Sequence, residues 1–463
     1  VQLHRDLDAI LAAPALQRGY WGVLVKSLKT GDTLYAQNAR KLLMPASNMK
    51  IVTLAATVAK LGWDFTYETR VSATGPIVNG TLDGDLVVTG SGDPSLMDDA
   101  TPQPFESWAA ALKQHGIQRI TGRIVGDDNK FTDEGLGFGW SWDDLVDDYA
   151  AGASALTFNE STVRVTVTPG ASVSSVAGVV AEPATGGLVL RNNVRTADAG
   201  STAHVETHRL PGSPELELRG SIPLGGTPIV RAVSVDNPTL FFVAALRQAL
   251  VANGIDVKGP AVDIDAPGEA PVRAAATPIV TFRSAPLSAL AMRLMKISQN
   301  LYAETFLTTL SPETPATAAS GRTVAHDLLA QWGVPDDGLI QRDGSGLSRY
   351  DYVTPETLVT ILAHVYRDPA LRGPFEVSLP IAGRDGGLGN RMKGTAAENN
   401  AHAKTGSMSN VRALSGYVTD ADGEPLVFSI IANNFDSPAP VINAATDAIV
   451  VRLANYRRRA STP

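Results

Sequence analysis

The chain contains no cysteine. Disulfides, zinc–thiolate centres, iron–sulfur clusters and a cysteine nucleophile are therefore excluded together. The lack does not fix the compartment, because exported proteins can also do without cysteine. No apolar run reaches the roughly 18–20 residues that a membrane-spanning helix needs. Positive charge is not in excess: 39 basic side chains stand against 47 acidic ones, a net charge of -8. Such a balance is poorly suited to gripping nucleic-acid phosphates. There is no internal repeat and no long low-complexity segment. The first residue is Val1 rather than Met, which fits a mature or trimmed N-terminus whose export signal has been removed. What is present is 463 residues, 44% hydrophobic and 19% charged. That suffices for packed cores and, at about 150 residues each, predicts roughly three domains.

The texture of the chain changes twice. Asp6 to Leu16 reads as a short helix, Trp21 to Leu28 and Thr33 to Gln37 as a hairpin around Lys29-Thr30-Gly31-Asp32. After Pro45, Ile51, Leu54, Ala55, Val58 and Leu61 recur at helical spacing and Gly62 closes the run. From about Thr66 to Ala275 short alternating strands dominate, as in Val163, Val165 and Val167 or Leu216 and Leu218. Helices over Pro104–His115 and Thr239–Asn253 interrupt them, the second with Asp236 or Asn237 as N-cap. Helices return at Ser284–Lys296, Leu301–Leu310, Gly321–Trp332 and Thr354–Tyr366. Strands follow over Ala401–Ser407, Val411–Thr419 and Pro425–Ala432, then a helix from Pro438 to Tyr456. The outer parts match and the middle does not. An α+β domain interrupted by a large strand-rich insertion of one or two domains is the economical account.

Three short motifs occur in order: Ser47-Asn48-Met49-Lys50, Ser298-Gln299-Asn300 and Lys404-Thr405-Gly406. Each alone is common. Together they have chemical sense. Ser47 opens a helix and Lys50, three residues on, shares its face. A lysine serves as base only when neutral for part of the time, and burial or a second cation, for which Lys404 is placed, lowers its pKa. Ser298 and Asn300 sit at a bend between helices, where one can relay a proton and the other hold a substrate amide. Gly406 leaves room on a strand for the close approach of an extended peptide.

This trio marks penicillin-binding proteins and active-site serine β-lactamases. The stretches Pro45-Ala46-Ser47-Asn48-Met49-Lys50, Gly90-Ser91-Gly92-Asp93-Pro94-Ser95-Leu96, Asp343-Gly344-Ser345-Gly346-Leu347-Ser348-Arg349 and Lys404-Thr405-Gly406-Ser407-Met408-Ser409 narrow the match. Over nearly its whole length the chain resembles the low-molecular-mass class C penicillin-binding proteins, the S13-type D-alanyl-D-alanine carboxypeptidases and endopeptidases. The long interval between Ser47 and Ser298 is where that family carries extra domains. The resemblance implies a transpeptidase-like domain, an antiparallel sheet covered by helices, from 1–69 and 276–463. It further implies an inserted domain from 70–155 and 232–275, and a strand-rich one at 156–231. Ser47 would be acylated by the penultimate D-Ala of peptidoglycan stem peptides or by a β-lactam. Lys50 would be base, Ser298 relay, Asn300 orienting group and Lys404 electrostatic support. Thr405, Gly406 and Ser407 would bind the substrate carboxylate end. The amides of Ser47 and Ser407 would form the oxyanion hole. Trp142, Tyr149 and Met408 would grip the stem-peptide side chain. Ser407 replaces the family's usual Thr but keeps the hydroxyl. No metal or organic cofactor and no nucleic acid is implied. The expected location is extracytoplasmic, periplasm or cell-wall space.

Other features carry blander readings. His204-Val205-Glu206-Thr207-His208 puts two imidazoles and a carboxylate on one strand face, able to hold zinc but better read as an exposed polar face. Asp143, Asp144, Asp147 and Asp148 lack the alternating ligand spacing of a calcium loop and read as a solvated helix face. Gly90-Ser91-Gly92 and Gly386-Gly387-Leu388-Gly389 read as turns. Asp343–Arg349 is a turn whose role, structural or catalytic, stays open. Arg457 to Arg459 suit a cationic helix end, with peripheral membrane contact as the alternative. The E-x-x-L-N stretch of class A β-lactamases is missing, and no motif residue is lost as in a non-enzymatic scaffold.

Overall fold

In a computed structural model of the chain, residues 2–96, 104–184, 187–266, 268, 272 and 277–458 are described. A five-stranded antiparallel sheet orders its strands as Thr33–Gln37, Tyr20–Ser27, Pro425–Asn433, Val411–Thr419 and His402–Met408. The strand Pro425–Asn433 lies at its centre and reads as one apolar run because both faces are covered. Leu426, Phe428 and Ile430 face one core, while Val427 and Ile431 face the other. On the first face lie helices α1 (Gln2–Leu11) and α10 (Ala439–Ala454). The second face is covered by α2 (Met49–Leu61), α5 (Leu287–Lys296), α6 (Asn300–Thr309), α8 (Pro355–Arg367) and α9 (Pro369–Ser378). Helix α7 (Ala318–Gln331) packs outside α6.

The strand-rich interior segment leaves and rejoins this body beside itself. Strand Glu68–Ala73 pairs antiparallel with Thr277–Arg283, Arg283 standing opposite Glu68. Between them, helices α3 (Pro104–Gln114) and α4 (Pro238–Ala252) and several small sheets share a core built on Phe105, Trp108, Phe158, Phe241 and Phe242.

The differences from the sequence reading lie mostly at element ends. Helix α1 starts at Gln2 and stops at Leu11, and Pro14 opens a separate 3-10 turn, Pro14–Leu16. Ser284 precedes α5 because its hydroxyl accepts from the amide of Tyr67 instead, and the helix begins after Pro286. Helix α9 was not foreseen, although Asp368 caps it and Pro369 occupies its first position. The expected helix face at Asp143–Asp148 is a run of turns ending in the 3-10 turn Asp148–Ala150. Aspartates that compete for backbone donors favour turns over helix interior. Arg457 and Arg458 lie beyond the end of α10 and fold back onto acids: Arg457 pairs with Asp422, Arg458 with Asp32 and Glu424. Arg459 lies outside the described residues. His204 and His208 flank Glu206 on an exposed strand face and pair with it at 3.0 and 3.3 Å.

Candidate active site

The three motifs meet in one cleft of about 380 Å³, bordered by Ser47, Ser298, Asn300, Thr405, Ser407 and Met408. Ser47 lies in the 3-10 turn Ala46–Asn48 that feeds α2. That turn is fixed from several sides. Asn48 is buried and donates from Nδ2 to Ser415 Oγ on the sheet, 2.7 Å away. Ala46 holds a left-handed φ of 46°, a strained choice for a residue with a Cβ that persists only where neighbours enforce it. Gly406 lies against the same turn: a Cβ there would stand 2.5 Å from the Pro45 carbonyl oxygen. The close approach expected at Gly406 is thus to the nucleophile's own turn.

Lys50 is fully buried on α2, and its Nζ has three partners. They are Ser47 Oγ at 3.0 Å, Asn300 Oδ1 at 2.6 Å and the Ser345 carbonyl at 3.0 Å. Asn300 cannot present its amide nitrogen instead, because Nδ2 donates to the Tyr149 carbonyl at 2.7 Å. Burial pushes the Lys50 ammonium down to about 7, against the attraction of Asp343, Glu304 and Asp351. The cation expected to depress it is itself depressed. Lys404, also fully buried, is held well below the ordinary lysine range by burial and by Lys50. Its Nζ reaches Ser298 Oγ at 2.8 Å and the Thr405 carbonyl at 2.9 Å. Ser298 sits at a left-handed φ of 66° in the corner between α5 and α6.

The edge of the sheet borders the cleft. Strand His402–Met408 pairs with Val411–Thr419 on one side and is last in the sheet order. Toward His402 its other edge is taken, the Ala403 amide donating to the Pro380 carbonyl at 2.9 Å, while from Thr405 to Met408 it borders the cleft and can offer backbone groups to an extended peptide. Thr405, Ser407 and Met408 all line the cleft, as does Tyr149. Trp142 does not: it is 65% exposed and stands outside the lining. Asp144 also lines the cleft, as do Leu347 and Arg349 of the Asp343–Arg349 turn, so the walls carry one carboxylate and one guanidinium. The Tyr149 hydroxyl lies 2.8 Å from both Asp144 Oδ1 and Asp147 Oδ2, with its one hydrogen shared between the two carboxylates.

Beneath Lys50 lies the Asp343–Arg349 turn. Asp343 is buried and accepts from the amides of Gly346 and Ser348, both at 2.7 Å, and from Trp140 Nε1 at 2.8 Å. Glu304 of α6 accepts from the amides of Gly344 and Ser345, both at 2.8 Å. Burial and Asp343 push the carboxyls of Glu304 and Asp351 upward. These residues aim the Ser345 carbonyl at Lys50. The Asp-Gly-Ser-Gly string was visible; its acceptor, Glu304, carried no local signal.

A family model described as the D-Ala-D-Ala carboxypeptidase 3 (S13) family matches residues 3–456. The chain belongs to this family. The activity that goes with it is that of a serine-type D-Ala-D-Ala carboxypeptidase. The D-alanyl-D-alanine carboxypeptidase of Actinomadura sp. (strain R39) is 36% identical, over 98% of this chain and 85% of that protein. The D-alanyl-D-alanine carboxypeptidase DacB of Haemophilus influenzae is 26% identical, over 90% of this chain and 86% of that protein. The crystal structure of penicillin binding protein 4 (dacB) from Haemophilus influenzae superposes with a TM-score of 0.85. That match covers 98% of this chain and 100% of that one at 24% identity, and so speaks for the α+β fold. No helix among the described residues is long and apolar enough to cross a membrane. Also among the described residues, Asp128, Asp133 and Asp265 lie close enough to share an ion. They border a separate cavity that no S13 motif residue lines.

Proposed function

We propose that this S13 peptidase cleaves D-Ala-D-Ala ends of peptidoglycan stem peptides through an acyl-enzyme on Ser47, and that β-lactams acylate the same oxygen. The observation that carries the reading is the set of partners around Lys50 Nζ. Two of them, Asn300 Oδ1 and the Ser345 carbonyl, only accept. A neutral amine therefore spends its two hydrogens on them and turns its lone pair to the Ser47 hydroxyl. Lys50 takes the Ser47 proton as Oγ attacks the penultimate D-Ala carbonyl. The amides of Ser47 and Ser407 receive the oxyanion. Ser298, bonded to Lys404, passes a proton to the departing D-Ala nitrogen and is reprotonated by the proton that Lys50 took from Ser47, so that both regain their starting state as the amine leaves. Water then hydrolyses the ester.

Thr405 and Ser407 are proposed to meet the terminal carboxylate, with Lys404 holding the strand beneath them by donating to the Thr405 carbonyl. Tyr149, Met408, Asp144 and Arg349 border the room left for the stem-peptide side chain. Cross-links ending in the same D-Ala linkage fit this open edge, so endopeptidase cleavage belongs to the same reading. Such a substrate places the enzyme outside the cytoplasm. We further propose that 70–155 with 232–275, and 156–231, are inserted units on the 1–69 and 276–463 body. The paired strands Glu68–Ala73 and Thr277–Arg283 support that join.

Intact-mass measurement after incubation with penicillin tests the assignment. The wild-type chain gains one drug mass and Ser47→Ala gains none. A Ser47→Ala chain that still gains it overturns the reading. Digestion of purified cross-linked muropeptides, read by mass, then apportions carboxypeptidase and endopeptidase action.

A further inference from the structure

Glu160 lies in the interior segment, far in sequence from every motif. It occupies the middle of Asn159–Ser161, three consecutive residues with left-handed φ angles of 50°, 52° and 55°. None of the three is glycine, so each opposes its own Cβ. Strain of this kind persists where surrounding contacts enforce it, and it gathers at functional sites. Here the contacts are specific. One carboxylate oxygen of Glu160 accepts from Arg293 Nε in the last turn of α5. The other accepts from Gln299 Nε2 at 2.8 Å. Gln299 in turn accepts from the Leu301 amide at 3.2 Å and so caps α6. The pair is sheltered, with side chains 23% and 13% exposed for Arg293 and Glu160, so solvent screens it weakly.

The carboxylate thus bridges the end of α5 and the start of α6. The corner it closes is Ile297-Ser298, and Ser298 is the residue in a left-handed conformation there. Directly after Gln299 comes Asn300, whose Oδ1 lies 2.6 Å from Lys50 Nζ. The same interior segment supplies the Tyr149 carbonyl that orients Asn300.

We propose that Glu160 is a positioning residue of the active site: by stapling Arg293 to Gln299 it fixes the Ser298–Asn300 corner, and through it the partners of Lys50 and Lys404. The proposal rests on the assignment of Ser298 and Asn300 to acyl transfer. A loosened corner moves Ser298 Oγ and Asn300 Oδ1 while leaving the carboxylate-binding edge strand in place. The loss falls on kcat.

The test compares full-length wild type, Glu160→Ala, Glu160→Gln and Val165→Ala. Val165→Ala cuts into the interior core without touching the corner, since Val165 is buried among that core's residues. Steady-state kinetics use a peptide ending in D-Ala-D-Ala; melting temperature and penicillin adduct mass are read in parallel. Glu160→Ala is expected to lose about 100-fold in kcat, the scale of a reacting group displaced by about 1 Å, with KM within about threefold. Glu160→Gln keeps an acceptor for one arm and recovers part of the loss. Val165→Ala lowers the melting temperature but holds kcat within about twofold. Should Glu160→Ala fail to fold, Gln299→Ala, which cuts one arm, carries the same expectation. Unchanged kcat in Glu160→Ala, or in Gln299→Ala where it replaces it, overturns the proposal. So does a kcat loss that Val165→Ala matches at equal melting temperature. If wild type gains no penicillin mass, it is the acyl-transfer assignment that fails; if it does and Glu160→Ala turns over normally, only the staple fails.

Discussion

The sheet-and-helix body and the strand-rich interior segment contribute to the site in different ways. The body carries every group proposed to react: Ser47 and Lys50 at the start of α2, Ser298 and Asn300 at the α5–α6 corner, Lys404 on the edge strand. The interior segment supplies no reacting group but much of the scaffolding. It offers the Tyr149 carbonyl to Asn300, Trp140 to Asp343, the Phe138 carbonyl to Ser348 Oγ at 2.7 Å, and Glu160 to the corner. Reactive groups need particular side chains. Supports need only a donor or acceptor in the right place, often on the backbone, and leave no motif behind.

Substitutions can sharpen this contrast. The largest loss is expected within the body. Lys50→Ala removes the general base, and penicillin acylation should slow by about 10²–10⁴-fold, followed as the rate of adduct formation by mass. Asn300→Ala comes next. It deletes an acceptor of Lys50 and leaves the Tyr149 carbonyl without its partner, a cost of about 1–3 kcal/mol, so acylation should slow by about 10–100-fold. On the interior side, Trp140→Phe removes one of three donors to Asp343. About 1 kcal/mol is at stake there, and acylation should fall by less than about tenfold. Smallest is Trp142→Ala, which should leave kcat/KM unchanged because the indole is 65% exposed and off the cleft. A large effect there, with a small one at Asn300, would reverse the roles assigned to the two regions.

What the sequence revealed follows the same division. Ser47 and Lys50 were legible because three residues on a helix is a local relation. The apolar run from Pro425 to Ala432 announced a strand. The gap between Trp142 and Tyr149 was not legible. Both are aromatic residues in one aspartate-rich stretch, but the turns that replace the expected helix aim only Tyr149 into the cleft. Glu160 was equally hidden, since a left-handed turn without glycine has almost no sequence signature. Glu304 reads as one more polar position in α6 until Gly344 and Ser345 are folded against it. Lys404 could be placed beside the other lysine, but that both ammonium groups are depressed follows from burial, and burial is a property of the whole fold.

The central claim is that Lys50 is neutral when it meets the Ser47 hydroxyl, and the pH profile of penicillin acylation tests it most directly. Burial sets the Lys50 ammonium at about 7. The neutral fraction rises with pH, so the second-order rate of adduct formation should climb from about pH 5, pass its half-maximum near 7 and level off above about 8. A rate that is still rising tenfold per unit toward pH 10, the range of an unperturbed lysine, would contradict the account.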